Sequence, residues 1–165
     1  MTLSSLFAAL LAVCAWICIP VGDIAVTLQT FGVALALLLL GGKCGTVSIG
    51  IFLLLGAVGL PVFSGFRGGI GALAGVTGGF LWGFLASGLV YWGFERFGKI
   101  PAILAAIITC YGCGCFWFCL YSGGGLVLVL LRCVVPFLIP DAAKLWLAFS
   151  LSKRLNKVIK LPSRA

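Results

Sequence analysis

Long apolar runs dominate the chain, and polar residues gather in the short breaks between them. A helix needs about 20 predominantly apolar residues to cross a bilayer, with about 17–25 the ordinary range. Six segments approach that pattern, at roughly 4–19, 25–41, 45–60, 74–95, 100–121 and 141–157. Short polar or glycine-proline breaks separate the first five. The longer stretch 122–140 holds Gly123, Gly124, Gly125, Arg132, Pro136 and Pro140, and its apolar middle is too short to span. It is expected to be re-entrant or interfacial, leading into the last helix.

Composition turns this pattern into a statement about solvent. The chain is 63% hydrophobic and 8% charged, with a mean hydropathy of +1.30. A soluble domain carries about a quarter charged residues, so the outer face of this one must meet lipid. Asp23, Glu95 and Asp141 are the only acids, and there is no histidine. The expected fold is an all-α membrane protein, a bundle of six transmembrane helices forming a single domain over residues 1–165. The apolar stretch Leu3–Pro20 lacks the basic start and small-residue cleavage site of a signal peptide and reads as the first membrane helix.

The net charge of +8 is explained by position. Lys153, Arg154, Lys157, Lys160 and Arg164 follow an apolar run, as expected of a cytoplasmic end lying against an anionic leaflet. With both termini cytoplasmic, Lys43, Arg96 and Lys99 join them to make eight inner basic residues, against Arg67, Arg132 and Lys144 outside. A nucleic-acid site would need a basic polar face, and none is present.

Eight cysteines include the run Cys110, Cys113, Cys115 and Cys119. They lie in an apolar, aromatic segment without polar supporting residues, so small apolar packing is expected there rather than a metal site. Gly71, Gly75, Gly79 and Gly83 recur every fourth residue, with Ser87 continuing the series, which makes a smooth stripe for close approach of a helix or a ligand. The stretch lacks the lysine-serine ending of a phosphate-binding loop. Without histidine or paired acids no catalytic constellation can be assembled. No nucleotide motif is present, so ATP-driven work would belong to a partner.

Asp141 and Lys144 stand three apart at the start of the last segment, on one helix face. An ionisable residue at the bilayer centre costs about 2.5–3.5 kcal/mol on insertion scales and usually serves a site or a partner. Helix capping by Asp141 with an outward-reaching Lys144 is the plainer alternative. Other features fall on the same side: the aromatic, glycine-rich connection Leu60–Gly69 with Phe63, Phe66 and Arg67, the Gly78-Gly79-Phe80 opening of the fourth segment, and Thr27 and Gln29. Aromatic walls with a few convergent polar groups are the usual form of a small-molecule site.

The runs PVGDIAVTLQTFGVALALLLLG, LPVFSGFRGGIGALAGVTGGFLWGF and PFLIPDAAKLWLA resemble the biotin-specific S component of energy-coupling factor (ECF) transporters, the BioY family. The most specific parts are TLQT at 27–30, the glycine-rich run 68–79 and the P-D-x-x-K pattern at 140–144. The resemblance implies a six-helix protein of the bacterial cytoplasmic membrane that binds biotin from outside. It would dock on a transmembrane T subunit and two cytoplasmic ATPases, and would itself hold no cofactor. The family's ligand-binding aspartate and lysine fall on Asp141 and Lys144, and its Gly-Gly-aromatic element on Gly78, Gly79 and Phe80. Asp141 would accept from a ureido N–H, while Lys144 would donate to the ureido oxygen or to the carboxylate. Phe80, Phe63 and Phe66 would cover the bicycle. The helix-one A-x-x-x-A contact with the T subunit falls on Ala8 and Ala12. An S component for another vitamin, and a structural subunit without a ligand, are the alternatives.

Overall fold

The computed structural model describes residues 2–21, 24–123, 129–130 and 134–158. Asp23, Gly124, Gly125, Arg132, Cys133, Lys160 and Arg164 lie outside the described residues. The chain forms α1 (Thr2–Trp16), a hairpin of β1 (Cys18–Val21) and β2 (Ile24–Thr27), α2 (Gln29–Ala57), a 3-10 turn (Ser64–Phe66), α3 (Ile70–Ala74), α4 (Gly78–Phe94), a second 3-10 turn (Glu95–Phe97), α5 (Lys99–Ser122) and α6 (Val135–Val158). Three of these helices, Gln29–Ala57, Lys99–Ser122 and Val135–Lys157, are long and apolar enough to cross a membrane. Large apolar side chains cover the outside: Leu6, Ile108, Phe116, Leu120 and Trp146 are each more than half exposed. Such a surface is stable against lipid and not against water.

The expected second and third segments form one helical run broken at Gly41, whose φ of 79° and ψ of 173° are non-helical. After the break the chain folds back, because a side chain at Gly45 would meet the Leu37 Cα at 3.1 Å. The first half is buried all round: every residue from Phe31 to Leu40 is covered, which marks a helix at the centre of a bundle. At about 1.5 Å per residue, residues 29–40 extend about 18 Å, well short of the roughly 30 Å hydrocarbon core. Space therefore remains beyond Gln29, at the end of the bundle that carries the hairpin.

A break inside an apolar bundle leaves backbone groups without partners, which is costly where water is absent. Two residues at the start of α5 and just before it supply them. The Gly42 N–H donates to the Glu95 carboxylate at 2.9 Å, and the Lys99 ammonium donates to the Leu38 carbonyl at 3.2 Å. The anion thus sits at the N-terminus of the second half of α2 and the cation at the C-terminus of the first, each matching the helix dipole it faces. Gly42 is required here, since a Cβ would lie 2.4 Å from the Trp92 Cα.

Several sequence expectations are corrected. The first helix ends at Trp16, and residues 18–21 and 24–27 form an antiparallel pair, Cys18 opposite Thr27 and Val21 opposite Ile24. The last helix begins at Val135 and runs through Pro140, so residues 135–140 belong to it rather than to a re-entrant segment. The glycine series is split: Gly71 lies in α3 and Gly75 ends it, while Gly79 and Gly83 pack α4 against Trp117 and Cys110 of α5. Ala8 and Ala12 are 1% and 7% exposed and pack within the core beside Val33 and Leu37. Their small side chains are packed within this chain.

Replacing Glu95 with Ala removes the acceptor at the α2 break. The expected loss is about 0.5–2 kcal/mol, the usual cost of losing a helix cap, with faster amide exchange at Gly42. Melting curves in detergent and exchange measured at residues 42–46 check this; unchanged exchange would show that Glu95 does not hold the break.

Candidate functional site

The space left at the Gln29 end of the short half of α2 is a cavity with about 780 Å³ of atom-free volume, including its open mouth. Its walls come from β2 and α2 (Thr27, Gln29, Thr30), the 58–77 connection (Phe63, Arg67, Thr77), α4 (Phe80, Phe84), α5 (Ile107, Cys110, Tyr111) and α6 (Phe137, Asp141). The wall is largely aromatic and apolar, with its polar atoms concentrated on one side.

That polar side is a single hydrogen-bonded chain. Asp141 is 5% exposed, and its carboxylate receives the Lys144 ammonium at 2.7 Å and the Tyr111 hydroxyl at 2.5 Å, one on each oxygen. The same ammonium donates to the Thr27 carbonyl at 2.7 Å, tying α6 to the end of β2. The Thr27 hydroxyl accepts from the Gln29 backbone N–H at 3.3 Å and donates to the Gln29 side-chain oxygen at 3.1 Å. Each carboxylate oxygen carries two acceptor sites, so Asp141 keeps capacity for a donor arriving from the cavity. The ion pair neutralises a charge that would otherwise be prohibitive at this depth.

The connection over the cavity is fastened at several points. Phe63 is 2% exposed, meets Phe52 edge-on with ring centroids 5.4 Å apart, and fills the space over Gly56, where a side chain would collide with its ring. Its backbone N–H donates to the Arg67 carbonyl at 2.9 Å, and the Gly69 N–H to the Gly56 carbonyl at 2.7 Å. Between these anchors Phe66 adopts a φ of 56°, a left-handed conformation uncommon for a bulky residue. It stacks on Trp16 at 5.2 Å, while the Trp16 indole N–H donates to the Pro61 carbonyl at 2.8 Å. Such strain persists where surrounding contacts enforce it, as they do here.

Among the residues anticipated from the sequence, the structure brings Gln29, Phe63, Arg67, Phe80 and Asp141 to the cavity wall. Lys144 stands behind Asp141 and holds it, without lining the cavity. Gly78 and Gly79 face Leu73 and Trp117, and Phe66 is 65% exposed on the outer side of its loop, so these three do not line it either. Phe80 lies flat because Gly114 has no side chain to obstruct its ring. Tyr111 was hidden in the cysteine-rich run of α5. The available signal was its hydroxyl, since a tyrosine at membrane depth needs a partner.

The chain superposes on the crystal structure of the S-component for biotin from an ECF-type ABC transporter with a TM-score of 0.86 and 29% identity, covering 94% of this chain and 89% of that one. It is 38% identical over 157 residues to the Probable biotin transporter BioY of Pyrococcus horikoshii, covering 94% of each chain. It is 48% identical over 87 residues to the Biotin transporter BioY of Thermotoga maritima, covering 53% of this chain and 52% of the relative. With the BioY family profile matching residues 1–161, the chain belongs to the BioY family.

Proposed function

We propose that this protein binds biotin and supports its uptake as the substrate-binding S component of an ECF-type transporter in a bacterial cytoplasmic membrane. The observation that carries the reading is the buried carboxylate of Asp141, held by Lys144 and Tyr111 on one side of an otherwise aromatic cavity. Biotin matches both halves. Its ureido group offers two N–H donors and one carbonyl acceptor, and its sulfur-containing bicycle is apolar. Asp141 accepts one ureido N–H in a charge-assisted bond, the strong class of hydrogen bond. Phe63, Phe80 and Phe84 enclose the bicycle. Arg67, on the connection at the cavity wall, meets the carboxylate of the side chain.

This chain carries no nucleotide motif, so inward release depends on partners: a transmembrane T subunit and two ATPases that use ATP. The helices cross the membrane six times, with α2 counting twice across its Gly41 break, and both termini are cytoplasmic. The cavity then opens outward, and the Glu95 and Lys99 stitch lies at the inner end.

Asp141→Asn is expected to weaken biotin binding by about 1.5–3 kcal/mol, the worth of a hydrogen bond to a charged group, or roughly tenfold to somewhat over a hundredfold in Kd. Lys144→Met leaves Asp141 buried without its counter-charge and is expected to lower stability by about 3–5 kcal/mol. Combining the two changes restores part of that stability without restoring affinity. Calorimetric titration beside melting curves checks all three variants. Unchanged affinity in Asp141→Asn removes this carboxylate from the site, and a double variant no more stable than Lys144→Met contradicts the pairing.

Single cysteines introduced at positions 43 and 157, in a background without the native ones, are expected to react with membrane-impermeant reagents only after the membrane is opened. One at position 65 should react from outside. External labelling at 157 would overturn the six-crossing topology.

A further inference from the structure

One polar atom of the cavity's hydrogen-bonded chain has no partner among the described residues: the side-chain amide nitrogen of Gln29. Gln29 is 5% exposed and lines the cavity. Leaving a donor buried and unpaired costs about 1–3 kcal/mol, so its retention calls for an explanation. Reversing the amide does not remove the problem. The Thr27 hydroxyl already accepts from the Gln29 backbone N–H, and giving it the amide nitrogen as well would strip the hydroxyl proton of its acceptor. The observed orientation therefore satisfies more groups and leaves a donor over. The terminal amide torsion is soft, so this nitrogen can turn toward the cavity that its own residue lines.

We infer that Gln29 donates to the ureido carbonyl oxygen of the ligand and makes the site selective for a cyclic urea. The inference rests on the biotin reading above. Electrostatics choose the carbonyl over the ligand's other acceptor. The cation on the cavity wall, Arg67, is the partner for the ligand's acid, which leaves the carbonyl as the acceptor for Gln29. A urea then fits by its two kinds of polar group: N–H to the Asp141 acceptor and C=O to the Gln29 donor. A guanidino analogue keeps the N–H donors but replaces the carbonyl by another N–H, which would face the Gln29 donor. Specificity of this kind arises from an unpaired or opposed polar group in the wrong complex.

The test is a cycle of three proteins and two ligands: wild type, Gln29→Leu and Gln29→Glu, each titrated with biotin and with 2-iminobiotin, its guanidino analogue. Wild type is expected to prefer biotin. Gln29→Leu should weaken biotin about tenfold while leaving 2-iminobiotin no weaker, because the opposing donor is gone. Gln29→Glu replaces the donor with an acceptor and should shift the preference toward 2-iminobiotin. Equal weakening of both ligands in both variants would make Gln29 a structural residue, and an unchanged ratio with unchanged affinities would remove it from the site. Either result overturns the inference while wild-type biotin binding still upholds the broader reading. Failure of wild type to bind biotin would instead overturn the reading on which the inference rests.

Discussion

A carboxylate surrounded by apolar side chains at membrane depth has to be neutralised and hydrogen-bonded, and the site is organised around that requirement at Asp141. Lys144 supplies the opposite charge one helical turn away, Tyr111 supplies a neutral donor from α5, and the Lys144 ammonium reaches on to the Thr27 carbonyl at 2.7 Å. Three separate parts of the chain are thereby fixed around one charge: α6, α5 and the junction of β2 with α2. Such a pair adds little net stability compared with apolar packing of the same volume. What it provides is a polar group of defined position in a wall that is otherwise aromatic.

The cavity itself follows from a length mismatch. The central helix of the bundle, residues 29–40, is shorter than the hydrocarbon core, and the cavity lies at its unfilled end. Its other end must then be a sharp reversal within the apolar bundle, and the two backbone groups exposed by that reversal are met by Glu95 and Lys99. Two of the few charged side chains in the chain thus serve helix termini, and another two serve the cavity.

Much of the fold was legible in the sequence, because a bilayer leaves few options for an apolar run. The strand pair 18–21 and 24–27 escaped notice because its residues are apolar enough to extend the neighbouring helices, although Gly22-Asp23 between β-branched residues is itself a hairpin signal in the sequence. Pro140 suggested a boundary, yet a proline within a membrane helix is tolerated where neighbours satisfy the freed backbone groups. Ala8 and Ala12 illustrate a different limit. Small residues four apart announce close packing, but not whether the packed neighbour is in the same chain or another. For the site, Asp141, Gln29, Phe63, Arg67 and Phe80 were identifiable by residue type and spacing. Lys144 was placed correctly beside Asp141, but whether it faces the ligand or supports its neighbour depends on the Thr27 carbonyl, a backbone atom that spacing does not reveal.

The central claim is that this cavity holds biotin. Titration of the purified, detergent-solubilised protein with biotin, followed by calorimetry with riboflavin and thiamine as comparison ligands, tests it most directly. The account predicts saturable binding of one biotin per chain and no measurable heat from the other two vitamins. Absence of saturable biotin binding by a folded preparation, or equal binding of all three, would contradict it.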